Sequence, residues 1–481
     1  MASIKKNFTY QMIYEVLILI LPFVTSPYVA RVIGAEGLGV FSYSVSIAYY
    51  FVLFSMLGLK NHGNRAIAQC RDDSAEMNRT FSGLLVLHMF VSVVCTVTYL
   101  IYALFICEDR MYALLQIFYV ISALFDISWF YFGIEKFKMT VTRNVIIKIL
   151  NVACVFIFVR DADDLWIYCL IMSLGHLVSQ LALWAPLHRY VKLVRPEWNV
   201  IRKHIKPMLI LFIPAVAVSL YKYMDKIMIG KLADKTQLGY YENAEKVINI
   251  PLTIIGSFGT VMLPKMSNLA AKANVKSAQN LMKISMKYVM CLAFALTCGL
   301  AGVGTVFSPV FWGKEFVPSG VLIMGLAVTI PFLAFANVIR TQYLIPKHMD
   351  REYTVSVMFG AVINLVINAL LIGKLGAKGA VIGTIAAEIL VCVIQTFAVR
   401  KQLPLWDYMK SFSFFMPVAA VMFTAVFAAG YFLQPHISTL LIQIAIGVII
   451  YASIVILYFV KTKDETFLRI WHQVKSKLHK A

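Results

Sequence analysis

Long apolar stretches separated by short polar stretches repeat along the whole chain. Each contains about 20 mostly apolar residues, which as an α-helix can cross a hydrocarbon core of about 30 Å. Alternating patterns of about ten residues, which would indicate transmembrane strands, are missing from the sequence. The pattern therefore predicts an all-α polytopic membrane protein with about 14 transmembrane helices. The predicted spans are 12–33, 38–59, 80–106, 111–132, 142–159, 164–187, 207–230, 238–263, 284–311, 318–343, 353–373, 378–399, 411–433 and 438–460.

Two pairs of segments resemble each other at a separation of roughly 200 residues. The segment 30–43 is similar to 226–241, and the entry to the fifth predicted span is similar to the entry to the eleventh. This resemblance predicts two pseudo-symmetric six-helix bundles, 1–206 and 207–400. Residues 401–481 would then form two additional C-terminal helices and a basic tail.

Composition and charge agree with a membrane protein. Of the 481 residues 60% are hydrophobic and 14% are charged, and the net charge is +20. The N-terminus, every second loop and the C-terminal tail together carry +22, and the rest of the chain carries −2. By the positive-inside rule, both termini are expected in the cytoplasm. The positive charge thus reports topology and contact with anionic lipid, and nucleic-acid binding is a poor explanation for it.

Motifs for enzymatic chemistry are weak. The sequence has no Walker-type glycine-rich loop, and its eight cysteines and nine histidines show no metal-ligand spacing. The acidic run 161–164 resembles a sugar-nucleotide DxD motif, but its place in a very short outward loop favours an ordinary loop. We therefore expect neither catalytic residues nor a metal or cofactor, and a protein that is not an enzyme.

Charged residues inside two predicted spans are the most informative feature of the chain. A charge at the centre of a membrane helix costs roughly 2.5–3.5 kcal/mol on insertion scales, so such residues usually pair, face water or contact a polar substrate. Helical spacing places Lys222 and Lys226 on one face of span 7, with Asp225 one turn from Lys222, and it places the three residues of span 8 on one face. Two alternatives are local ion pairs, Lys222 with Asp225 and Glu242 with Lys246. The six residues are Lys222, Asp225 and Lys226 on span 7, and Glu242, Glu245 and Lys246 on span 8.

Other polar residues accompany this set. Span 1 carries Glu15 and, near its outward end, Arg31, while span 5 carries Asn151. Span 11 carries Asn364 and Asn368 four residues apart. The amides could line a polar cavity, or they could only bond a neighbouring helix. Arg31 and Lys246 could extend to the outer interface.

Several segments together resemble the polysaccharide-biosynthesis flippases of the Wzx type. This family belongs to the multidrug/oligosaccharidyl-lipid/polysaccharide exporter superfamily. The resemblance covers nearly the whole chain, including the number of spans. It is strongest in the segments 28–43, 129–138, 225–230, 239–246 and 345–368.

The resemblance implies a fold, a cargo and roles for individual residues. Two six-helix bundles would enclose a central cavity of alternating access, and the last two helices would hold a lipid tail. The cargo would be an oligosaccharide repeat unit on undecaprenyl pyrophosphate, moved to the outer leaflet of the bacterial cytoplasmic membrane for O-antigen, capsule or exopolysaccharide assembly. Polymerase and chain-length proteins of the same pathway are the implied partners, and protons or sodium the implied coupling ions. The expected pyrophosphate ligands are Arg31, Lys222, Lys226, Lys246 and Arg340, with charge tuning or coupling by Asp225, Glu242, Glu245 and Glu15.

Two other functions compete with this interpretation. A cation-coupled multidrug exporter would have a similar fold, but it favours twelve spans and an acidic cavity. A membrane glycosyltransferase or polymerase would need a sizeable outward loop with catalytic residues, and the predicted outward loops are very short.

Overall fold

A computed structural model of the chain contains only helices and the turns that connect them, over the residues that it describes. It describes the backbone of residues 2–272, 274–469 and 471, and the side chains of the same residues except 2–20, 22 and 221. Within these residues, 13 helical stretches are long and apolar enough to cross a membrane. The prediction of an all-α polytopic membrane protein is therefore confirmed.

The helices are bounded as follows. The first nine are α1 (Ala2–Met56), α2 (Leu59–Cys70), α3 (Ser74–Phe105), α4 (Arg110–Leu115), α5 (Ile117–Leu124), α6 (Ser128–Gly133), α7 (Phe137–Phe158), α8 (Leu165–Leu181) and α9 (Trp198–Leu232). The others are α10 (Lys235–Ala271), α11 (Val275–Trp312), α12 (Val317–Ala327), α13 (Thr329–Ile339), α14 (Asp350–Leu375), α15 (Ala377–Val399), α16 (Leu405–Phe412), α17 (Phe415–Phe432) and α18 (Ile437–Lys461). Residues Arg340–Leu344 form a π-helix directly after α13.

The first two predicted spans form the two arms of α1, and this accounts for the difference between 14 predicted and 13 observed stretches. Gly34, at the predicted boundary, is the residue where the helix loses helical dihedrals, with φ 77° and ψ 178°. A positive φ of this size is accessible to glycine at little steric cost. The sequence predicts a four-residue loop here, whereas the structure needs one glycine to redirect the helix.

The contacts within the chain define two compact units. Unit 1 comprises Met1–Glu242 and Leu365–Ala380, and unit 2 comprises Asn243–Asn364 and Val381–Ala481. The division into bundles at 1–206 and 207–400 describes sequence repeats, and it stays a prediction.

Unit 1 is built around α1, which packs against α3, α5, α7 and α9. An aromatic cluster joins α3 to α6, since the ring of Phe81 lies 5.4 Å from that of Trp129 and 4.8 Å from that of Phe130. All three rings are fully buried. This packing fixes the frame from which α1 and α9 present their polar residues.

Two glycines allow α1 and the start of α10 to touch backbone to backbone. A Cβ placed on Gly39 would overlap the carbonyl oxygen of Lys235, and a Cβ on Gly239 would overlap the carbonyl oxygen of Ala35. Neither obstacle is a side chain that could move aside. The close approach brings the side chains that follow on both helices within hydrogen-bonding distance.

Unit 2 is organised around α11, which packs against α12, α13, α16, α17 and α18. The segment after α18 is tied back to α11 through Asp464, whose carboxylate accepts hydrogen bonds from Lys287 and from Tyr288. Tyr451 on α18 also donates a hydrogen bond to the carbonyl oxygen of Cys291, at 2.7 Å.

Large apolar side chains cover much of the helix surface in both units. Phe105, Leu370, Tyr431 and Phe432 are all between 64% and 80% exposed. Monomeric soluble proteins rarely expose continuous apolar surface on this scale, and a bilayer would cover it.

Candidate functional site

An ion pair links α9 to α10 in unit 1. The Nζ atom of Lys226 lies 2.7 Å from Oε2 of Glu242, and the two side chains are only 13% and 17% exposed. Ser42 on α1 donates a hydrogen bond to the same oxygen at 2.8 Å. Three helices thus share one carboxylate, and Glu242 compensates the charge of Lys226.

Asp225, the neighbour of Lys226, is held by a second network. Its carboxylate is 3% exposed and accepts hydrogen bonds from Tyr241, at 3.0 Å, and from Asn368 of α14, at 2.6 Å. Asn368 is itself fully buried. Asp225 therefore joins α9 to α10 and α14 and lies away from solvent. The expected roles of Asp225 in charge tuning or coupling and of Asn368 in lining a cavity stay predictions.

Lys222, one turn earlier on α9, has a different environment. Its side chain is exposed and makes no ion pair or hydrogen bond with any side chain that the structure describes. The alternative of a local ion pair between Lys222 and Asp225 is therefore wrong. Beside it, Tyr223 stacks on Tyr49 of α1, with ring centroids 3.8 Å apart. The site thus has an exposed lysine next to the stacked tyrosines and one helical turn from the Lys226–Glu242 ion pair.

The remaining predicted residues of unit 1 lie at separate places. Arg31 is exposed on the first arm of α1, three residues before the kink at Gly34. Asn151 of α7 lies against Gly175 of α8, where it fills the space that a Cβ would take. Asn151 therefore contacts a neighbouring helix, and its expected role in lining a cavity stays a prediction. Glu15 lies outside the residues whose side chains are described.

Four predicted residues belong to unit 2. Lys246 and Glu245 are half-buried on α10, and Lys246 donates a hydrogen bond to Asn243 at 3.4 Å. Arg340 opens the π-helix with its guanidinium carbon 5.6 Å from the ring of Tyr353, and Asn364 is 2% exposed. Their roles in binding or coupling stay predictions.

A group of charged residues at the end of unit 1 that carries the loop before α4 was missed from the sequence. Lys231 lies 2.6 Å from Glu108, Lys235 lies 3.6 Å from Asp109, and the Nζ atom of Lys235 is 3.0 Å from the ring centroid of Tyr43. The hydrogen bond from Lys231 lowers the pKa of Glu108, and the same bond raises the pKa of Lys231. These pairs connect the turn between α9 and α10 to the loop before α4, and Lys235 also contacts Tyr43 of α1.

Two further polar groups inside the helices were also missed. Glu388 on α15 is 4% exposed, although its span reads as an ordinary apolar segment apart from this residue. His62 on α2 and His204 on α9 lie 2.8 Å apart between ring nitrogens, although 142 positions separate them in the sequence. A single carboxylate in an apolar run is a signal that the sequence did contain, whereas the histidine pair depends on tertiary contact.

Comparison with known proteins gives a consistent result. The sequence profile of the family described as "Polysaccharide biosynthesis protein" matches residues 4–270. A protein of Shigella dysenteriae named as a candidate O-antigen transporter is 22% identical over 387 residues, which is 79% of this chain and 96% of that protein. A protein of Escherichia coli with the same name is 22% identical over 405 residues, or 83% of this chain and 97% of that protein.

Solved structures with a similar fold include two transporters. The lipid II flippase MurJ in an inward closed conformation gives a TM-score of 0.79 at 15% identity, covering 95% of this chain and 99% of that one. An outward-facing multidrug transporter of the MATE family gives a TM-score of 0.51 at 14% identity, covering 84% and 92%. At these identities the similarity establishes the fold alone.

Proposed function

Because the chain belongs to the polysaccharide biosynthesis protein family, we propose that it is a flippase for lipid-linked oligosaccharides. Its cargo would be an oligosaccharide repeat unit on undecaprenyl pyrophosphate, moved from the cytoplasmic to the outer leaflet of the bacterial cytoplasmic membrane. The product would serve cell-surface polysaccharide assembly, as O-antigen, capsule or exopolysaccharide. Two curated relatives whose names assign them to O-antigen transport support this cargo class.

The exposed ammonium group of Lys222 is the observation on which the proposal rests. Moving a diphosphate through hydrocarbon without compensation is prohibitive, so a flippase needs a cation accessible at membrane depth. Lys226 is compensated by Glu242, and the buried Asp225 accepts hydrogen bonds from Tyr241 and Asn368, so we propose that these residues position the helices. Lys222 is left to bind the diphosphate, and Arg31, also exposed, is the second candidate on the same unit.

The proposal can be tested with the purified full-length chain in vesicles. A labelled undecaprenyl-pyrophosphate oligosaccharide is placed in one leaflet, and its appearance in the other is followed with a membrane-impermeant glycosidase. We expect Lys222→Ala to lower the initial rate about tenfold or more, because a charge-assisted hydrogen bond to phosphate contributes roughly 1.5–3 kcal/mol. Lys222→Arg should retain most of the rate.

Lys206→Ala is the matched control, because Lys206 is an exposed lysine on the same helix. It should leave the rate unchanged. A Lys222→Ala protein as fast as the unmodified protein would contradict the site, and vesicles in which the unmodified protein moves no glycolipid would contradict the function. Transport of organic cations in place of the glycolipid would instead favour the multidrug exporter.

The finer expectations belong to the same proposal. We propose that both termini lie in the cytoplasm and that protons, sodium or the membrane potential alone drive the transport. Polymerase and chain-length proteins of the same pathway are the proposed partners. Labelling of single cysteines at positions 461–465 from either side of sealed vesicles would test the orientation.

A further inference from the structure

Unit 2 contains a cavity of about 160 Å³. It lies at the same end of the helices as the basic loop between α10 and α11. It lies where α10 ends, α11 begins and the π-helix turns into the loop before α14. Its volume is comparable to that of an engineered cavity of about 150 Å³ that holds benzene. The residues that line it include Met266, Met282, Gln342, Tyr343, Lys347 and Leu403.

Gln342 is the unusual residue of this cavity. It is 1% exposed, and neither its amide nitrogen nor its amide oxygen has a hydrogen-bond partner among the described residues. A buried polar atom without a partner costs roughly 1–3 kcal/mol, so native proteins rarely tolerate two on one side chain. Gln342 also lies within a π-helix, an element that often occurs at functional sites. Both amide atoms are fully enclosed while Gln342 borders the cavity, so a change of its side-chain rotamer would bring its donor and its acceptor to a group inside the cavity.

Two hydrogen-bond donors accompany Gln342. Tyr343 and Lys347 line the cavity, and neither the hydroxyl of Tyr343 nor the ammonium of Lys347 bonds to another residue that the structure describes. None of the described lining side chains is a carboxylate. Exposed lysines lie within two residues of the lining, at positions 272, 276 and 401. The cavity thus combines apolar walls, donors for an anion and a positive surrounding.

We propose that this cavity binds the head group of an anionic glycerophospholipid. The phosphate oxygens would accept hydrogen bonds from Lys347, Tyr343 and the amide nitrogen of Gln342. A glycerol hydroxyl would donate to the amide oxygen of Gln342, so both of its unpartnered atoms are satisfied. Met266, Met282 and Leu403 give an apolar surface to the carbons that adjoin the phosphate. Basic pockets between helices at the cytoplasmic face commonly bind anionic head groups, and the basic loops here predict that face.

The binding is measured on the full-length chain in nanodiscs of phosphatidylcholine with increasing phosphatidylglycerol. We expect phosphatidylglycerol to be retained in native mass spectra, with an affinity about tenfold lower after Lys347→Ala and at least as much lower after Gln342→Glu. Lys314→Ala is the control and should not change the affinity, because Lys314 is an exposed lysine just past the opposite end of α11.

A second substitution separates binding from folding. Gln342→Leu removes both unpartnered atoms while keeping the volume, so the melting temperature without phosphatidylglycerol should stay the same or rise, and the shift caused by phosphatidylglycerol should disappear. Equal retention of phosphatidylglycerol by the unmodified protein and by all variants would overturn the proposal, and so would equal retention of phosphatidylcholine. Displacement by millimolar glycerol 3-phosphate would show a site for a soluble phosphate ester and would overturn the lipid assignment.

Discussion

Asp225 and Lys226 are adjacent in the sequence, yet each reaches a different set of helices. Successive residues of an α-helix point about 100° apart, so Asp225 meets Tyr241 and Asn368 while Lys226 meets Glu242. Both acids are engaged by groups of the protein itself. Their arrangement favours a structural or coupling role for the acids and leaves Lys222 as the accessible charge.

Removing the carboxylate of Asp225 should destabilise the protein strongly. Asp225→Ala leaves Tyr241 and Asn368 without their acceptor in a buried place, and we expect a loss of roughly 2–4 kcal/mol. Tyr241→Phe removes one of the two hydrogen bonds and should cost only about 1 kcal/mol. Both losses can be measured as shifts in the melting temperature of the detergent-solubilised protein. Equal melting temperatures for Asp225→Ala and the unmodified chain would show that the buried network contributes little.

The sequence could identify the charged residues of this site, but it could not identify their partners. Spacings of three and four residues describe one helix, and the ion pair between Lys222 and Asp225 that they left as an alternative does not form. Ser42 and Asn368 are separated from their partners by 200 and 143 positions and carry no charge. The spacing of four from Asn364 identified Asn368, but the local pattern indicates neither its partner nor the importance of Ser42.

At the scale of helices, the region around the kink of α1 combines close backbone packing with charge pairs at its outer edge. Gly39 and Gly239 bring α1 and α10 into contact, and Lys231 and Lys235 fasten the turn before α10 to the loop before α4. The fourteen predicted spans recovered nearly every long helix, because apolar length alone determines them. The kink was predicted as a loop, because a glycine within an apolar segment is compatible with a loop and with a kink inside one helix.

Alanine at either glycine of this crossing should disrupt unit 1. At Gly39 and at Gly239 the added Cβ would meet a backbone carbonyl, so relief requires the helices to separate, and we expect a loss of about 3 kcal/mol or more. Gly256→Ala, also on α10, has nothing within 4 Å of its Cβ and should be neutral or slightly stabilising. The yield of folded protein and its melting temperature give the comparison. If Gly39→Ala melts like Gly256→Ala, the two helices do not pack as closely as described.

At low pH the loop before α4 should become less ordered. The pKa of Glu108 is lowered by its hydrogen bond to Lys231, so the pair contributes order above the usual glutamate pKa of about 4.3 and loses it as the pH falls through the lowered value. Hydrogen exchange of residues 106–112, corrected for intrinsic rates, should be constant from pH 7 to about 5 and increase below about pH 4. The increase should be small, because both side chains are exposed. Glu108→Gln removes the charge, so its exchange at pH 7 should be as fast as that of the unmodified chain below about pH 4. The same pH dependence in the variant and in the unmodified chain would contradict the assignment.

For the whole molecule, the proposed function makes transport depend on the membrane potential. A pyrophosphate diester carries two negative charges, and an inside-negative potential favours their outward movement by roughly 2.3 kcal/mol per charge for each 100 mV. A potassium gradient with valinomycin, set inside-negative with the basic loops inside, should therefore accelerate glycolipid movement severalfold. Reversing the gradient should slow it. A rate that is the same at both signs would mean that compensating cations carry two positive charges outward with each glycolipid.

The close contact of α1 with α10 also bears on the origin of the chain. Gly39 lies on the carbonyl of Lys235 and Gly239 on that of Ala35, so exchanging each residue for the one 200 positions away reproduces the same contact. A contact that maps onto itself in this way is isologous, the kind that joins identical subunits across a two-fold axis. Such symmetry is what a duplication of a half-length unit would produce, in line with the repeat predicted from the sequence, and both glycines of the crossing are required.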